Sequence, residues 1–285
     1  AYGLGIADDK HGVALILHTL TALQTLAFDD YALITVLING DEEVSSAGSR
    51  ELITRLGAEH DAVLSCEGGG ASDRLALTTA GIGAVLLRVR GRASHAGSAP
   101  ERGRNALYEL AHQVLQMRDL TNANAGIKLN WTIASAGATR NVIPAVARAT
   151  ADFRVLRVAA YDEVERLVRA RIREQLIDGT TVDVSFERRR PPLEATDESR
   201  ALAAHAQSIY RELDRRLTVS DQAAGGGTDA AFAALESDAP VIEGFGLIGF
   251  GAHSDARESV DLRSVVPRLY LLTRMVMDVG QGLTP

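Results

Sequence analysis

Hydrophobic residues near the start of the chain form one helical stretch and two short continuous runs. Apolar residues recur at helical spacing over 11–26, which predicts a well-buried helix. The runs YALITVLI at 31–38 and DAVLSC at 61–66 are β-prone and uninterrupted, which is typical of strands buried in a parallel sheet under helices. This alternation of helix and buried strand predicts an α/β domain.

The pattern changes in the middle of the chain. Alternating strands and two amphipathic helical stretches follow one another in the order β-β-α-β-β-α-β, and Asp162 with Glu165 suggests a capping box for the second helix. This order predicts a small α+β sandwich, with helices on one face of an antiparallel sheet. After Pro191-Pro192 the helix–strand alternation returns. We therefore expect an α/β domain formed by residues 1–79 and 190–285, with a smaller domain inserted at 80–189.

Composition excludes several classes of protein. The chain has 285 residues, 46% of them hydrophobic and 24% charged, which is typical of a folded globular protein. Its net charge of -7 argues against a nucleic-acid partner, because binders of the phosphate backbone need a basic face. The single cysteine, Cys66, excludes an internal disulfide. No apolar stretch reaches the roughly 18 residues that span a bilayer, so no membrane partner is expected.

Acidic residues and one histidine lie in glycine-flanked loops, two of which follow the predicted strands. Parallel strands gather ligands at their carboxyl ends. Carboxylates at neighbouring strand ends repel one another, so a multivalent cation is a natural partner, and Asp, Glu and His together suit Zn²⁺ or a similar ion. The candidate groups are Asp8 with Asp9, the triplet 41–43 (DEE), Glu67 and His253.

Each of these features has a simpler interpretation when it is taken alone. An Asp-Glu-Glu triplet is usually a solvated helix start, and a single histidine is usually structural. Their joint occurrence in loops of one predicted sheet favours a metal site instead. The adjacent Glu42 and Glu43 then suggest a division of roles, in which one binds metal and the other takes a proton from water.

A second group of polar residues falls mainly in or beside the inserted region. His95 follows a strand in a glycine-flanked loop, and Asn141, Arg154 and Arg190 could bind a carboxylate. The run 225–229 (GGGTD) could form an anion-binding nest. The alternatives are a surface histidine, solvated strand-end charges and a plain turn, and the residue types alone do not decide between them.

The motifs together resemble those of a known family. In order and spacing, the chain is similar to the dinuclear zinc peptidases that include aminoacylases, acetylornithine deacetylase, succinyl-diaminopimelate desuccinylase and folate-cleaving glutamate carboxypeptidase, with the last of these the most similar. The resemblance covers the whole chain. The motifs are GIADDK (5–10), GDEE (40–43), CE (66–67), ASHAG (93–97), NVIP (141–144), DFR (152–154), GGTDA (226–230) and GAHSD (251–255).

The resemblance implies a role for each residue. Asp8 would bridge two Zn²⁺ ions, with Glu43 and His253 completing one metal site and Glu67 serving the other. Glu42 would be the general base. His95 would stabilise the oxyanion in a partner subunit's site, and the inserted domain would form a homodimer. Substrate binding is implied for Asn141, Arg154, Arg190 and Gly227.

The chain departs from the family at its beginning. Relatives carry a His-x-Asp motif before the first glycine-rich loop, which supplies a metal-binding histidine, and this sequence starts after that point. We therefore expect that part of the catalytic domain lies upstream, and that the Glu67 site has only two protein ligands here. Any leader peptide would also lie upstream, so the compartment stays open: cytoplasmic by default, secreted or periplasmic if a leader is removed.

The resulting hypothesis is a zinc-dependent carboxypeptidase. It would hydrolyse the amide bond to a C-terminal amino acid, with glutamate favoured, in N-acyl or folate-like peptide substrates. Two alternatives remain at this point. One is a deacylase of small N-acyl amino acids, which needs the same metals and carboxylate clamp. The other is an inactive, truncated fragment that only dimerises.

Overall fold

The computed structural model describes residues 1–223, 225–254 and 257–284, so Asp255 of the GAHSD motif lies outside the described residues. The helices, in chain order, are α1 (His11–Thr25), α2 (Arg50–Ala58), α3 (Ala106–Gln116), α4 (Ala160–Arg171), α5 (Asp197–Arg211), α6 (Ala230–Ala233) and α7 (Val265–Gly280). The strands are β1 (Val63–Leu64), β2 (Arg74–Ala76), β3 (Gly81–Arg90), β4 (Ile127–Ala136), β5 (Val146–Val155), β6 (Thr181–Arg190), β7 (Thr218–Ser220), β8 (Val241–Ile242), β9 (Gly249–Phe250) and β10 (Ser259–Val260).

These elements form two compact units. Unit 1 comprises Ala1–Thr79 and Leu193–Pro285, and unit 2 comprises Ala80–Pro192. Unit 1 contains short parallel pairs, β1 with β8 and β2 with β7, which a bridge between Ala76 and Glu243 connects. Its core includes the fully buried Tyr210 and Phe245. The carboxyl ends of β1 and β8 lead directly into the loops with Glu67 and Glu243.

Unit 2 is a four-stranded antiparallel sheet with strand order β4-β5-β3-β6. Burial alternates along β5, and its buried side chains pack with residues of α3 and α4. Helix α3 begins at Asn105, whose side chain accepts hydrogen bonds from the backbone N–H groups of Leu107 (3.0 Å) and Tyr108 (3.3 Å). The opposite face of the sheet is left with polar residues, among them Asp152 and Arg154.

The predicted capping box of the second helix in unit 2 is wrong. Helix α4 begins at Ala160 without a side-chain cap. Asp162 and Glu165 instead bind the guanidinium of Arg188 on β6, at 2.5 and 2.8 Å. These carboxylates therefore connect α4 to the sheet, and a tertiary ion pair replaces the local hydrogen bonds that the spacing suggested.

The run 31–38 also differs from its predicted state. Among the described residues it belongs to no β-ladder, and Leu33 and Ile38 are exposed. It borders an apolar groove of about 760 Å³ whose other walls include α1 and β1. A strand requires a hydrogen-bonded neighbour, and within the described chain no segment occupies the place between 31–38 and β1. The composition of this run predicts an extended conformation, but it does not indicate whether a neighbouring strand is present to pair with it.

In the part of the chain that the structure describes, no helix is long and apolar enough to cross a membrane.

Candidate active site

Three of the predicted metal ligands lie together in unit 1. Asp8, Glu43 and His253 each offer a ligand atom, and these atoms lie within 4.8 Å of one another. The Nε2 atom of His253 is 3.3 Å from Asp8 Oδ2, and its Nδ1 atom is 3.5 Å from Glu43 Oε1. Two carboxylates and an imidazole in this arrangement fit the donor set of a divalent cation such as Zn²⁺.

The same residues line a small cavity. Its volume is about 280 Å³, and its walls include Asp8, Glu42, Glu43, Glu67, Gly227 and His253. All six predicted residues of unit 1 therefore face one space, although they come from five loops far apart in sequence. Gly227 contributes backbone without a side chain, which leaves this wall open to a ligand.

Burial and like charge raise the pKa of several carboxyl groups around the cavity. Burial, with added repulsion from Glu243 and Asp9, raises the pKa of Glu67 to about 9. Burial also raises the pKa of Asp9 to about 8, although the backbone N–H of Gly12 opposes this shift. The fully buried Glu243 likewise has a raised pKa. Such an accumulation of carboxyl groups is what a cation would stabilise.

The loop that carries Asp8 is fixed by a residue that the sequence analysis missed. The buried Glu258 accepts hydrogen bonds from the backbone N–H groups of Gly5 (2.6 Å), Ala7 (2.8 Å) and Asp8 (3.1 Å). Burial alone would raise the pKa of Glu258, but these three amides outweigh it and hold the pKa below its usual value. The available signal was the position of Glu258, five residues after His253.

Glu243 is a second residue that sequence reasoning missed. It is fully buried at the end of β8 and accepts a hydrogen bond from the hydroxyl of Thr228 at 2.5 Å. The signal was a carboxylate inside the apolar run VIEGFG at 241–246.

The predicted anion nest at 225–229 gains no support from the structure. The side chains of Thr228 and Asp229 bind protein groups, and the helix that follows them, α6, has only four residues.

The other predicted residues lie in unit 2, at two opposite ends of its sheet. His95 pairs with Val142 through a β-bridge, and the N–H of Ala96 donates to the carbonyl of Asn141 at 2.9 Å. Arg154 and Arg190 both lie opposite Ile82, at the far end of the sheet. The structure therefore brings His95 near Asn141 and places Arg154 and Arg190 in register, but it does not bring all four together within one chain.

The two arginines differ in environment. Arg154 lies on the polar face of β5 and forms a bidentate pair with Asp152, at 2.8 and 2.9 Å. Arg190 is buried at the end of β6, two residues before unit 2 ends. Arg154 is thus the more accessible of the two to a ligand at this end of the sheet.

Comparison with known proteins identifies the class. Peptidase family M20/M25/M40 matches residues 1–278, so the chain belongs to this family. It is accordingly a hydrolase of the metallopeptidase class, whose metal cofactor the cluster of Asp8, Glu43 and His253 would suit, and its fold is the mixed α/β fold of this family.

Individual relatives extend this identification. Carboxypeptidase G2 of Pseudomonas sp. (strain RS-16) is 44% identical over 283 residues, which are 99% of this chain and 68% of the relative. The aminopeptidase PepT of Bacillus cereus has a TM-score of 0.79 at 20% identity, covering 96% of this chain and 71% of that one. The YXEP protein of Bacillus subtilis, described as a dinuclear metal binding peptidase, has a TM-score of 0.72 at 14% identity, covering 94% and 71%.

Zinc binding to the metal-free chain is expected to release protons. With a pKa of about 9, Glu67 is protonated at pH 7.5, and a cation binds only the carboxylate. A pH-stat titration with ZnCl₂ should release up to about one proton per bound ion from Glu67, and this contribution should fall by about half at pH 9 and disappear well above it. Glu67→Gln should lower the release at pH 7.5 by about one proton per chain. The same release from this variant would contradict the assignment.

Glu258→Gln is expected to weaken cation binding by about 10- to 100-fold and to lower the melting temperature. The glutamine replaces one of the two acceptor oxygens by an N–H₂ group, so at least one of the three backbone donors faces another donor. Isothermal titration with ZnCl₂ and thermal denaturation measure the two effects. The exposed Glu51→Gln in α2 is the matched control, and equal zinc affinity in both variants would show that Glu258 does not position Asp8.

Proposed function

We propose that the chain hydrolyses the amide bond to a C-terminal glutamate in N-acyl or folate-like peptide substrates. The observation that carries this proposal is the cluster of Asp8, Glu43 and His253 in a cavity that Glu42 also lines. The 44% identity to carboxypeptidase G2 along nearly the whole chain supports a carboxypeptidase rather than another member of the family.

Two Zn²⁺ ions per active site are part of this proposal. Asp8, Glu43 and His253 would hold one ion, and Asp8 with Glu67 would hold the other. When bound, the ions would polarise the scissile carbonyl and acidify a water molecule. The raised pKa of Glu67 supports this assignment, because a carboxyl group among other carboxyl groups becomes a good ligand once a cation offsets the repulsion.

Glu42 is the proposed general base. It lines the cavity and is adjacent in sequence to Glu43, which belongs to the ligand cluster. A carboxylate at this position can take a proton from the attacking water and transfer it to the leaving amine. Gly227 would let the substrate approach the backbone on the opposite wall.

His95 is the proposed donor to the oxyanion. Its Nδ1 atom accepts hydrogen bonds from the N–H groups of Gly97 and Ser98, both at 3.1 Å. The lone pair on Nδ1 is therefore engaged, so the neutral ring carries its proton on Nε2. A neutral imidazole with a fixed Nε2–H is suited to donating to the negative oxygen of a tetrahedral intermediate.

A homodimer would reconcile the positions of the substrate-binding residues. Asn141 precedes the start of β5 and Arg154 lies near its other end, and the ten residues of this strand span about 30 Å. One small substrate cannot contact both within a single chain. We therefore place Arg154 and Arg190 at the carboxylate of one substrate, and His95 with Asn141 at the active site of a second copy, with unit 2 as the dimerisation domain.

The groove in unit 1 is the proposed position of a further strand. Within the described part of the chain, the run 31–38 has no ladder partner and β1 pairs only with β8, and the lining of the groove between them includes Asp8 and Glu67. A strand supplied from outside these 285 residues would satisfy both edges. It could also bring an additional ligand to the Glu67 site.

The substrate class can be tested with the zinc-loaded chain. A folate-like N-acylglutamate and a set of N-acetyl amino acids should be compared by kcat/KM. Preferential release of glutamate supports the proposal, and exclusive cleavage of N-acetyl amino acids indicates a deacylase. A chain that dimerises but binds no zinc would instead support the inactive fragment.

Glu42→Gln is expected to retain its zinc and to lower kcat by about 10²- to 10⁴-fold, because it removes the base but no metal ligand. Metal content is measured by atomic absorption and turnover by glutamate release. Glu51→Gln serves as the control for the change of charge. Turnover at the wild-type rate would exclude Glu42 from the mechanism.

Mixing two inactive variants is expected to restore activity. His95→Ala and Arg154→Ala should each be nearly inactive as homodimers. In a heterodimer of the two, one active site carries both changes and the other carries neither, so about half of the wild-type activity per dimer should return. Heterodimers are isolated by two different affinity tags. No recovery would show that His95 acts within its own chain.

A further inference from the structure

The loop that carries Glu42 and Glu43 has an uncommon backbone conformation. Ser45 (φ 69°) and Ser46 (φ 51°) are consecutive left-handed residues, a region that non-glycine residues rarely adopt. Hydrogen bonds from the N–H of Ser45 to Glu42 O and from the N–H of Ser46 to Asp41 O, both 2.9 Å, close the turn. These bonds are internal to the loop and do not fix it relative to Asp8 or His253.

A residue distant in sequence binds both sides of this loop. The hydroxyl of the fully buried Ser46 donates to Asp229 Oδ1. The side-chain amide of Asn39 donates to Asp229 Oδ2 at 2.7 Å. Asn39 precedes Glu42 and Ser46 follows Glu43, so one carboxylate holds the chain where it enters and where it leaves the segment with both glutamates.

The position of Asp229 makes this arrangement informative. Asp229 is the N-cap residue of α6, where an aspartate commonly accepts a hydrogen bond from its own helix, yet it forms no such bond. Both of its oxygens bind the neighbouring loop instead. The helix that follows is buried in a core cluster with Ile53 and Val241, so the carboxylate is anchored to a rigid part of unit 1.

We propose that Asp229 is a positioning residue for the reaction. Its carboxylate holds residues 39–46 so that Glu43 remains beside Asp8 and His253 while Glu42 faces the cavity. The catalytic consequence rests on the proposed function. The structural part, that Asp229 fixes this loop, does not depend on it.

Asp229→Asn provides the test. Asparagine preserves the size of the side chain but directs an N–H₂ group toward one of the two donors, Ser46 or Asn39. The exposed Asp238→Asn, nine residues further along, makes the same change of charge and is the matched control. Both variants are compared with the wild-type chain for melting temperature, hydrogen exchange, Co²⁺ spectrum and kinetics.

Hydrogen exchange of the metal-free chain addresses the loop itself. Peptides that cover residues 40–50 should exchange at least about tenfold faster in Asp229→Asn than in Asp238→Asn, while peptides from α7 remain unchanged. Equal exchange in the two variants would overturn the proposal, whatever the chain catalyses.

The Co²⁺-loaded protein and its kinetics address the catalytic consequence. The visible absorption bands of bound Co²⁺ should shift in Asp229→Asn, because Glu43 is a proposed ligand. We expect kcat to fall by about 10²-fold with little change in KM, since a displacement of about 1 Å costs this much. Unchanged bands and kcat would refute the positioning role alone, whereas a wild-type chain that neither binds Co²⁺ nor turns over would refute the proposed function.

Ser46→Ala provides a second variant if Asp229→Asn does not fold. It removes one of the two donors and should accelerate exchange in 40–50 and lower kcat by about tenfold. In the double variant the two changes should be less than additive, because both remove the same interaction. Wild-type exchange and kcat in Ser46→Ala, or full additivity in the double variant, would contradict the proposal.

Discussion

Repulsion between carboxylates is the constraint on which the centre of unit 1 depends. Asp8, Glu43 and Glu67 face one cavity of about 280 Å³, and the buried Glu243 lies in its wall. Burial, with added repulsion from the neighbouring carboxylates, raises the pKa of Glu67, so in the absence of a cation the protonated form of this group is favoured. The free energy that folding spends on gathering these groups is recovered when a divalent cation binds. The geometry of the site and its affinity for a cation therefore depend on each other.

A second set of carboxylates, which do not belong to the ligand cluster, determines where the first set lies. Glu258 accepts hydrogen bonds from three backbone amides of the loop that carries Asp8. Asp229 binds the loop that carries Glu42 and Glu43. Each is remote in sequence from the loop that it holds. Loops can then carry the chemistry while the strands and helices behind them supply the rigidity. The arrangement resembles a metal site in which the outer groups orient the inner ones.

The sequence could predict the candidate ligands because Asp, Glu and His are the residue types that bind divalent cations. Their glycine-flanked loops at predicted strand ends suggested that Glu43 and Glu67 lie near one another, and both line the same cavity even though 31–38 forms no ladder among the described residues. The supporting roles of Glu258 and Asp229 could not be predicted from the sequence, because a carboxylate that binds remote backbone or hydroxyl groups leaves no periodic pattern in the sequence. The capping box at Asp162 failed for a related reason: a local spacing could not reveal that Arg188 competes for the same carboxylates. The composition of 31–38 indicated that this run favours an extended conformation. A β-ladder also needs a neighbouring strand, which the composition of one segment does not reveal.

The apolar groove beside 31–38 has a consequence for how the chain behaves in solution. The backbone of 31–38 and that of β1 line this apolar groove, and exposed strand edges of this kind are templates for pairing with an extended segment, including one from another molecule. Pairing of this kind is concentration-dependent and not specific to sequence. An unfilled groove of this kind favours self-association of the 285-residue chain, which its net charge of -7 opposes.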